Sequence, residues 1–496
     1  MNNGPISIGS RLELFVDDWL IDRLSGAERR LHHPAPQEIA LVFDRPWEGN
    51  MSGGMSVLRA DDGLYRLYYK AGPDGRSCGC YAESPDGITW TRPSVGLFEM
   101  AGTRDNNVIL PPEIGDNCAG DFSPFEDTRP GVPADQRYKG ISGMTGKVSA
   151  FASPDGIQWR KLVPEPVVEG YDSQHMAFWD APRGEYRAYL RHRRIAAYQA
   201  GLQELGTPNI ETDDETGLTV DGLDNGRDII TSTSKDFVNW SKAEFITYSP
   251  GRVNELYENS IQPYHRAPHL ILGFPLRYID RGWSVATKAL PELELRRKRA
   301  AQHSDRAGTA MTDAMLMCSR DGRHFSMWPE SFIRPGLRMK DNWMYWDNFV
   351  LIGMLETASP IDGAPDELSM YLTEAFYRSG PPSQLRRYTL RIDGFVSVNA
   401  PLHGGEMLTR PLVFSGSELV MNYSTSAAGS VQVELQDAQG IPLPGFALAD
   451  SEVMYGDSLE QPVLWRGNSD LGAWAGTPVR LRFVLKDADL FSLRFR

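Results

Sequence analysis

The sequence predicts an all-β chain: a five-bladed β-propeller followed by a C-terminal β-sandwich. Three observations carry that expectation. A short phrase recurs four times, as SPDGITW at 84–90, SPDGIQW at 153–159, SKDFVNW at 234–240 and SRDGRHF at 319–325. The copies begin 69, 81 and 85 residues apart, room for a four-stranded sheet plus loops, and an internal repeat of that kind fixes architecture. Past about residue 390, apolar and polar residues alternate between Gly, Ser and Asp turns with no helical period, the pattern of a sandwich of about 100 residues.

Each copy of the phrase follows a short β-prone run (79–83, 148–152, 229–233 and 314–318), turns at Asp-Gly or Asp-Phe, and closes on an aromatic, so each is a hairpin. A second hairpin precedes each: 57–70, turning at Asp61-Asp62-Gly63; 123–142; 177–191, turning near Arg183-Gly184; and 261–274. Two hairpins make one blade. A fifth unit lacking the phrase fits 343–377, and the leading strand LELFVDDWLI is placed to close the ring. The expected division is therefore 1–385, a catalytic propeller, and 386–496, an accessory sandwich that packs on the propeller rim; a carbohydrate-binding module is the other reading of the sandwich. One stretch, KALPELELRRKRAAQ at 288–302, is helical and charged nearly all round. It reads as an excursion from blade four that offers a rim wall or a contact for self-association.

Composition narrows the function classes. The chain has 496 residues and a formal net charge of −14, which argues against nucleic acid and anionic membrane as partners and suits a neutral substrate. No apolar run can span a bilayer and no basic-then-apolar leader opens the chain, so a cytoplasmic location is expected. Four cysteines, Cys78, Cys80, Cys118 and Cys318, make no CxxC or Cys/His spacing and read as reduced thiols, with no metal and no cofactor expected.

In a propeller, side chains at the channel entrance meet from several blades. Carboxylates stand at or before a first strand in five places: Asp17-Asp18, Glu48, Asp121, Asp172, and Glu255 with Glu258. Trp47 and Asn50, Gln174 and His175, then Tyr257, Asn259, Gln262 and Tyr264 accompany three of them. Acids among aromatics and amides describe a sugar pocket, and paired carboxylates cleave glycosidic bonds, one protonating the leaving oxygen while the other attacks or activates water. Arg191, within Arg191-His192-Arg193-Arg194, and Arg277, with His265-Arg266 and His269 nearby, could fork onto a carboxylated sugar or phosphate; inter-blade salt bridges are their other reading.

The runs LFVDDWLI, PWEGN, YAESPDGITW, DNNVIL, RYKGISG, YDSQHMAFWD, RDIITSTSKDFVNW, PYHRAPHLILGFPLRY and SRDGRHF resemble bacterial proteins described as similar to the N-terminal domain of glycoside hydrolase family 32. The ending, RRYTLRIDGFVSV through VRLRFVLKDADLFSLRF, is similar to their C-terminal domain. The WMNDPNG-like, RDP and Glu-Cys motifs of invertases and levanases are absent. The resemblance implies three carboxylates on successive blades as base or nucleophile, pKa modulator and acid. Asp172, beside a Ser and a Gln, takes the first place. Glu255 is assigned the acid, on the expectation that aromatic walls raise its pKa, with Glu258 as its alternate; Glu48 and Asp121 fill the remaining role. The expected function is hydrolysis or transfer of a glycosidic bond, at a furanoside or chain-terminal sugar. A glycoside phosphorylase and a non-catalytic sugar-binding propeller stay open.

Overall fold

A computed structural model describes residues 4–49, 51–72, 77–114, 121–143, 146–172, 174–193, 227–251, 255–339, 342–376 and 382–496, the side chain of Glu113 excepted. Among these, five sheets follow the repeat. Blade one is Gly53–Arg59, Tyr65–Ala71, Cys78–Ser84 and Val108–Leu110; blade two is Ser123–Glu126, Tyr138–Gly143, Val148–Ser153 and Arg160–Lys161. Blade three is Met176–Asp180, Glu185–Arg193, Arg227–Ser234 and Glu244–Phe245. Blade four is Ile261–Tyr264, Ala267–Gly273, Met317–Ser319 and His324–Met327, with Thr247–Ser249 added outside. Blade five holds Phe349–Val350 and Leu355–Thr357, then Glu367–Glu374, Gln384–Arg391 and Ala35–Val42.

The first strands of consecutive blades touch. Between blades four and five, the Gly353 N–H donates to Gln262 Oε1 at 2.7 Å and the Ser260 hydroxyl to Val350 O. Ile352 then bridges Ser56 of blade one, which completes the ring. The channel it encloses opens, at the end where the first strands finish, into a cavity of about 400 Å³ lined from all five blades.

The recurring phrase is a side-chain-built turn. In each copy the Ser hydroxyl accepts the N–H three residues on (Gly87, Gly156, Phe237, Gly322) at 2.8–2.9 Å. The Asp carboxylate accepts the N–H groups two and three residues beyond itself. These bonds replace the backbone pairing a tight turn forgoes. The aromatics Trp90, Trp159, Trp240 and Phe325 all stand six residues after the Ser; Phe325 lies within its outer strand, Trp159 directly precedes Arg160–Lys161 and Trp240 stands shortly before Glu244–Phe245, whereas in blade one a longer connection separates Trp90 from Val108–Leu110.

Two expectations are corrected. LELFVDDWLI does not close the ring: Glu13–Leu14 pairs with Ser492 and Leu493 of the C-terminal Val479–Phe495, and Ala35–Val42 closes blade five. Alternation explains the placement, since Phe15 enters the C-terminal core while Leu14 and Val16 pack into the core of blades four and five. The sheets likewise do not divide at 385/386. Ile6–Gly9, Glu13–Leu14, Ile21–Ser25 and Glu28–Leu31 join six C-terminal strands in one ten-stranded sheet, while Gln384–Arg391 stays in blade five.

The helical excursion is shorter than expected, Leu293–Gln302, and follows a one-turn helix at Val285–Lys288. Pro291 interrupts the pattern, as its missing N–H demands. Two of its charges face inward: Arg296 donates to Pro291 O and Gly308 O at 3.1 Å, and Arg299 stacks 4.7 Å over Tyr345.

Candidate active site

First strands run away from one mouth of the channel and second strands return to it. Residues just before a first strand therefore share an end with the last residues of a second strand. Gly53 pairs with Lys70, and the Tyr171 N–H donates to Arg191 O at 2.9 Å. This register gathers Lys70 from blade one, Asp121 before blade two, Asp172, Gln174, His175 and Arg191 from blade three, and Tyr257 and Glu258 before blade four.

Asp172 has φ +63°, a left-handed conformation that Asp tolerates better than most residues and that recurs at functional sites. Its carboxylate accepts from Arg191 Nη2 at 2.5 Å and is 40% exposed. The Arg191 guanidinium lies 4.6 Å over the Tyr257 ring and donates to Tyr257 O at 3.3 Å, so the partner of Asp172 is itself held from two sides. Asp121 is in the opposite situation. It is fully buried, neither oxygen has a hydrogen-bond partner among the described residues, and Lys70 Nζ stands 3.6 Å away. Burial pushes its carboxyl up; Lys70 opposes this, the Asp172 charge adds to it and Arg191 opposes it. His175 is buried as well, and burial aided by Arg191 lowers its imidazole to about 4, against the pull of Asp172. It is neutral near pH 7. Burial and the Asp172 charge push the Tyr257 phenol well up.

Glu258 accepts the Gln174 N–H at 2.5 Å, and Gln174 Nε2 reaches Met55 O at 3.0 Å and Ser123 Oγ at 3.4 Å. Glu258 thus ties the approach to blade four to that of blade three. The Gln174 amide spans blades one and two.

Glu255, expected as the proton donor, lies between two guanidiniums. Arg306 Nη2 donates to one oxygen at 2.8 Å and Arg227 Nη1 to the other, an arrangement for an anion. Both guanidiniums stack on Tyr278, at 4.6 and 4.7 Å, so the aromatics wall the cations and not the acid. Glu48 is likewise held inside blade one. It accepts from Tyr69 at 2.6 Å and the Arg45 N–H at 2.9 Å and pairs with Arg92 at 2.9 Å. Burial raises its carboxyl despite Arg92 and Tyr69. Trp47 bonds Asn107 in the same core at 2.9 Å.

Arg277 forks onto Asp313 at 2.8 and 2.5 Å and lines a lateral cavity, not the channel. Asp17 serves Arg320 and Asp18 is exposed. His265, Arg266 and His269 pair with Glu356, Asp393 and Glu13. Asn50 and Arg194 lie outside the described residues. Lys70, Arg227 and Arg306 also meet the candidate carboxylates. The hairpin register alone points to Lys70, whereas nothing in the local pattern marks the two arginines.

No protein-family model matches the chain, and no curated protein matches it. Solved structures show loose likenesses. A thermostable family-43 glycoside hydrolase is 12% identical, with 72% of this chain and 96% of that chain covered, at a TM-score of 0.40. A fructofuranosidase from Schwanniomyces occidentalis complexed with fructose is 11% identical over 93% and 97%, at 0.38. An N-acetylgalactosamine deacetylase from F. plautii is 11% identical over 78% and 94%, at 0.37. At such scores, what this chain does must be read from its own side chains.

Proposed function

We propose that the chain is a glycoside hydrolase that cleaves at the mouth of the channel where Asp172 and Asp121 meet. The observation that carries this is the pair itself: two carboxylates in one electrostatic neighbourhood, one half-open to solvent and paired with Arg191, the other buried and pushed up from the usual carboxylate range by that burial. Environments that separate two carboxyl groups in this way assign acid and base. Asp172 attacks the anomeric carbon or activates water, and Asp121 supplies the proton to the departing oxygen. Glu258 and Gln174 position the segment that carries Asp172. The lowered His175 adds no second cation beside Arg191.

Phosphorolysis is less well supported, because Arg191 and Arg277, the forks suited to phosphate, are each occupied by a carboxylate. The ten-stranded sheet, packed on the far side of blades four and five, fits a brace. The test is a panel of aryl furanosides and oligosaccharides, with and without phosphate, run on wild type, Asp172→Asn, Asp121→Asn and Glu258→Gln. Hydrolysis independent of phosphate, reduced at least ~10²-fold by each Asp variant, is the expected result. If Glu258→Gln loses that much while Asp121→Asn keeps its rate, Glu258 is the proton donor. Wild type inert across the panel overturns the proposal.

A further inference from the structure

The three-stranded sheet of Glu255–Leu256, Leu276–Asp280 and Ala310–Ala314 stands above the channel mouth and separates two environments. Successive side chains on a strand point to opposite faces. Tyr278 faces Arg227 and Arg306, the cluster behind Tyr257. Its neighbour Arg277 faces the other way and, with Arg281 just past the strand's end, lines a cavity of about 450 Å³ whose remaining walls include Asp313, Ser331, Arg334 and Trp343.

The chemistry of this cavity runs against that of the chain. Among the described lining residues, three arginines accompany one carboxylate in a protein of formal net charge −14. Arg277 is neutralised by Asp313. Arg334 is exposed, with no ion pair among the described residues. The half-buried indole of Trp343 is pinned by its N–H, which donates to Gly336 O at 3.2 Å and Leu337 O at 3.3 Å. A fixed aromatic wall suits the C–H face of a sugar ring. A guanidinium fork suits a planar carboxylate; Asp313, held by Arg277, keeps lone pairs for a ring hydroxyl, and the Ser331 oxygen, whose hydroxyl donates to Ile333 O at 2.9 Å, can accept from another. A bare anion would leave the indole unused, and a neutral sugar would leave Arg334 unpaired.

We infer that this cavity is a second carbohydrate subsite, separate from the hydrolytic mouth, and that it takes an anionic sugar, a hexuronate residue. The inference rests on the hydrolase reading only in taking the ligand to be a carbohydrate. Calorimetric titration of the full chain with trigalacturonate, its methyl ester and inorganic phosphate tests it. The acid binds, the ester binds at least about tenfold more weakly, a difference of about 1.4 kcal/mol, and phosphate does not compete at equal concentration. Arg334→Ala weakens trigalacturonate binding about tenfold, Trp343→Phe keeps most of it, and Arg334→Ala hydrolyses a neutral aryl glycoside within twofold of wild type. Equal binding of acid and ester, or wild-type affinity in Arg334→Ala, overturns the inference, and so does phosphate binding in place of the sugar. Uronate binding without hydrolysis of any glycoside would sink the hydrolase reading and leave the subsite standing. Hydrolysis without uronate binding would do the reverse.

Discussion

Asp172, Glu255 and His175 show how little a residue's type says about its task. Asp172 and Glu255 both pair with arginine, but among the described residues Asp172 meets the Arg191 guanidinium and is 40% exposed, while Glu255 lies buried between the guanidiniums of Arg227 and Arg306. Asp172→Asn is therefore expected to melt within a few degrees of wild type and to lose at least ~10²-fold in kcat. Glu255→Gln should instead destabilise by about 3 kcal/mol, because two arginines lose their buried counter-charge, while its folded fraction keeps kcat within about tenfold; urea midpoints and single-turnover rates separate the two. His175 sets a pH dependence. Its native pKa is about 4 against about 6.5 when unfolded. From pH 6.5 down to 4 the unfolded chain takes up a proton that the native state refuses, so stability falls across that window, by about 3 kcal/mol. His175→Gln should flatten the loss seen by denaturation at pH 7 and pH 5. An unchanged slope would assign the acid sensitivity to other groups.

At the scale of the element, the repeated turn is the most readable feature, because its hydrogen bonds lie within the phrase. The exception is instructive. Phe237 takes φ +68° where the other three copies have glycine at +72°, +76° and +78°. That position costs about 1–2 kcal/mol for a side chain, yet the ring is fully buried against Tyr186, Trp240 and Phe125 at 5.1–5.6 Å. Burial wins. Phe237→Gly should destabilise by about 2–3 kcal/mol despite the relaxed backbone; a stabilised variant would show that strain outweighs packing. Gly353 has no such freedom. At φ +101° a Cβ there would stand 1.8 Å from Val57 O, a backbone atom of the neighbouring blade that cannot step aside. Gly353→Ala should therefore cost more than about 3 kcal/mol and fail to accumulate as folded protein at 37 °C.

The whole molecule is held across a seam between blade four and the ten-stranded sheet. Arg320, in the fourth copy of the phrase, donates to Asp17 at 2.7 and 3.1 Å and to Glu13 at 2.9 Å, and lies 4.0 Å over Trp19. Burial would raise Glu13, but His269, Arg320 and Arg11 together hold its carboxyl at about 2. Arg320→Ala would take from buried Asp17 its guanidinium and leave Glu13 to Arg11 and His269, costing about 3 kcal/mol. In a thermal scan the single transition should broaden or split as the sheet uncouples from the ring. A sharp transition at the wild-type temperature would show that apolar contact alone joins them.

The blades are legible along the chain, because a hairpin's turn, register and aromatic closure are set by residues within a few positions of one another, so the phrase at 84–90 and its copies declare themselves. Asp172 and Asp121 are legible as candidates in a similar way, since each stands a few residues before a first strand. What those carboxylates face depends on residues distant in the chain. The guanidiniums that claim Glu255 arrive from 28 and 51 residues away, and Glu48 is claimed inside its own blade by Arg92, 44 positions along the chain (92 − 48). Long-range pairing likewise joins the strands between Ile6 and Leu31 to the C-terminal sheet. Leu14, Phe15 and Val16 are apolar on both faces of their strand, which satisfies either partner, and long-range burial makes the choice.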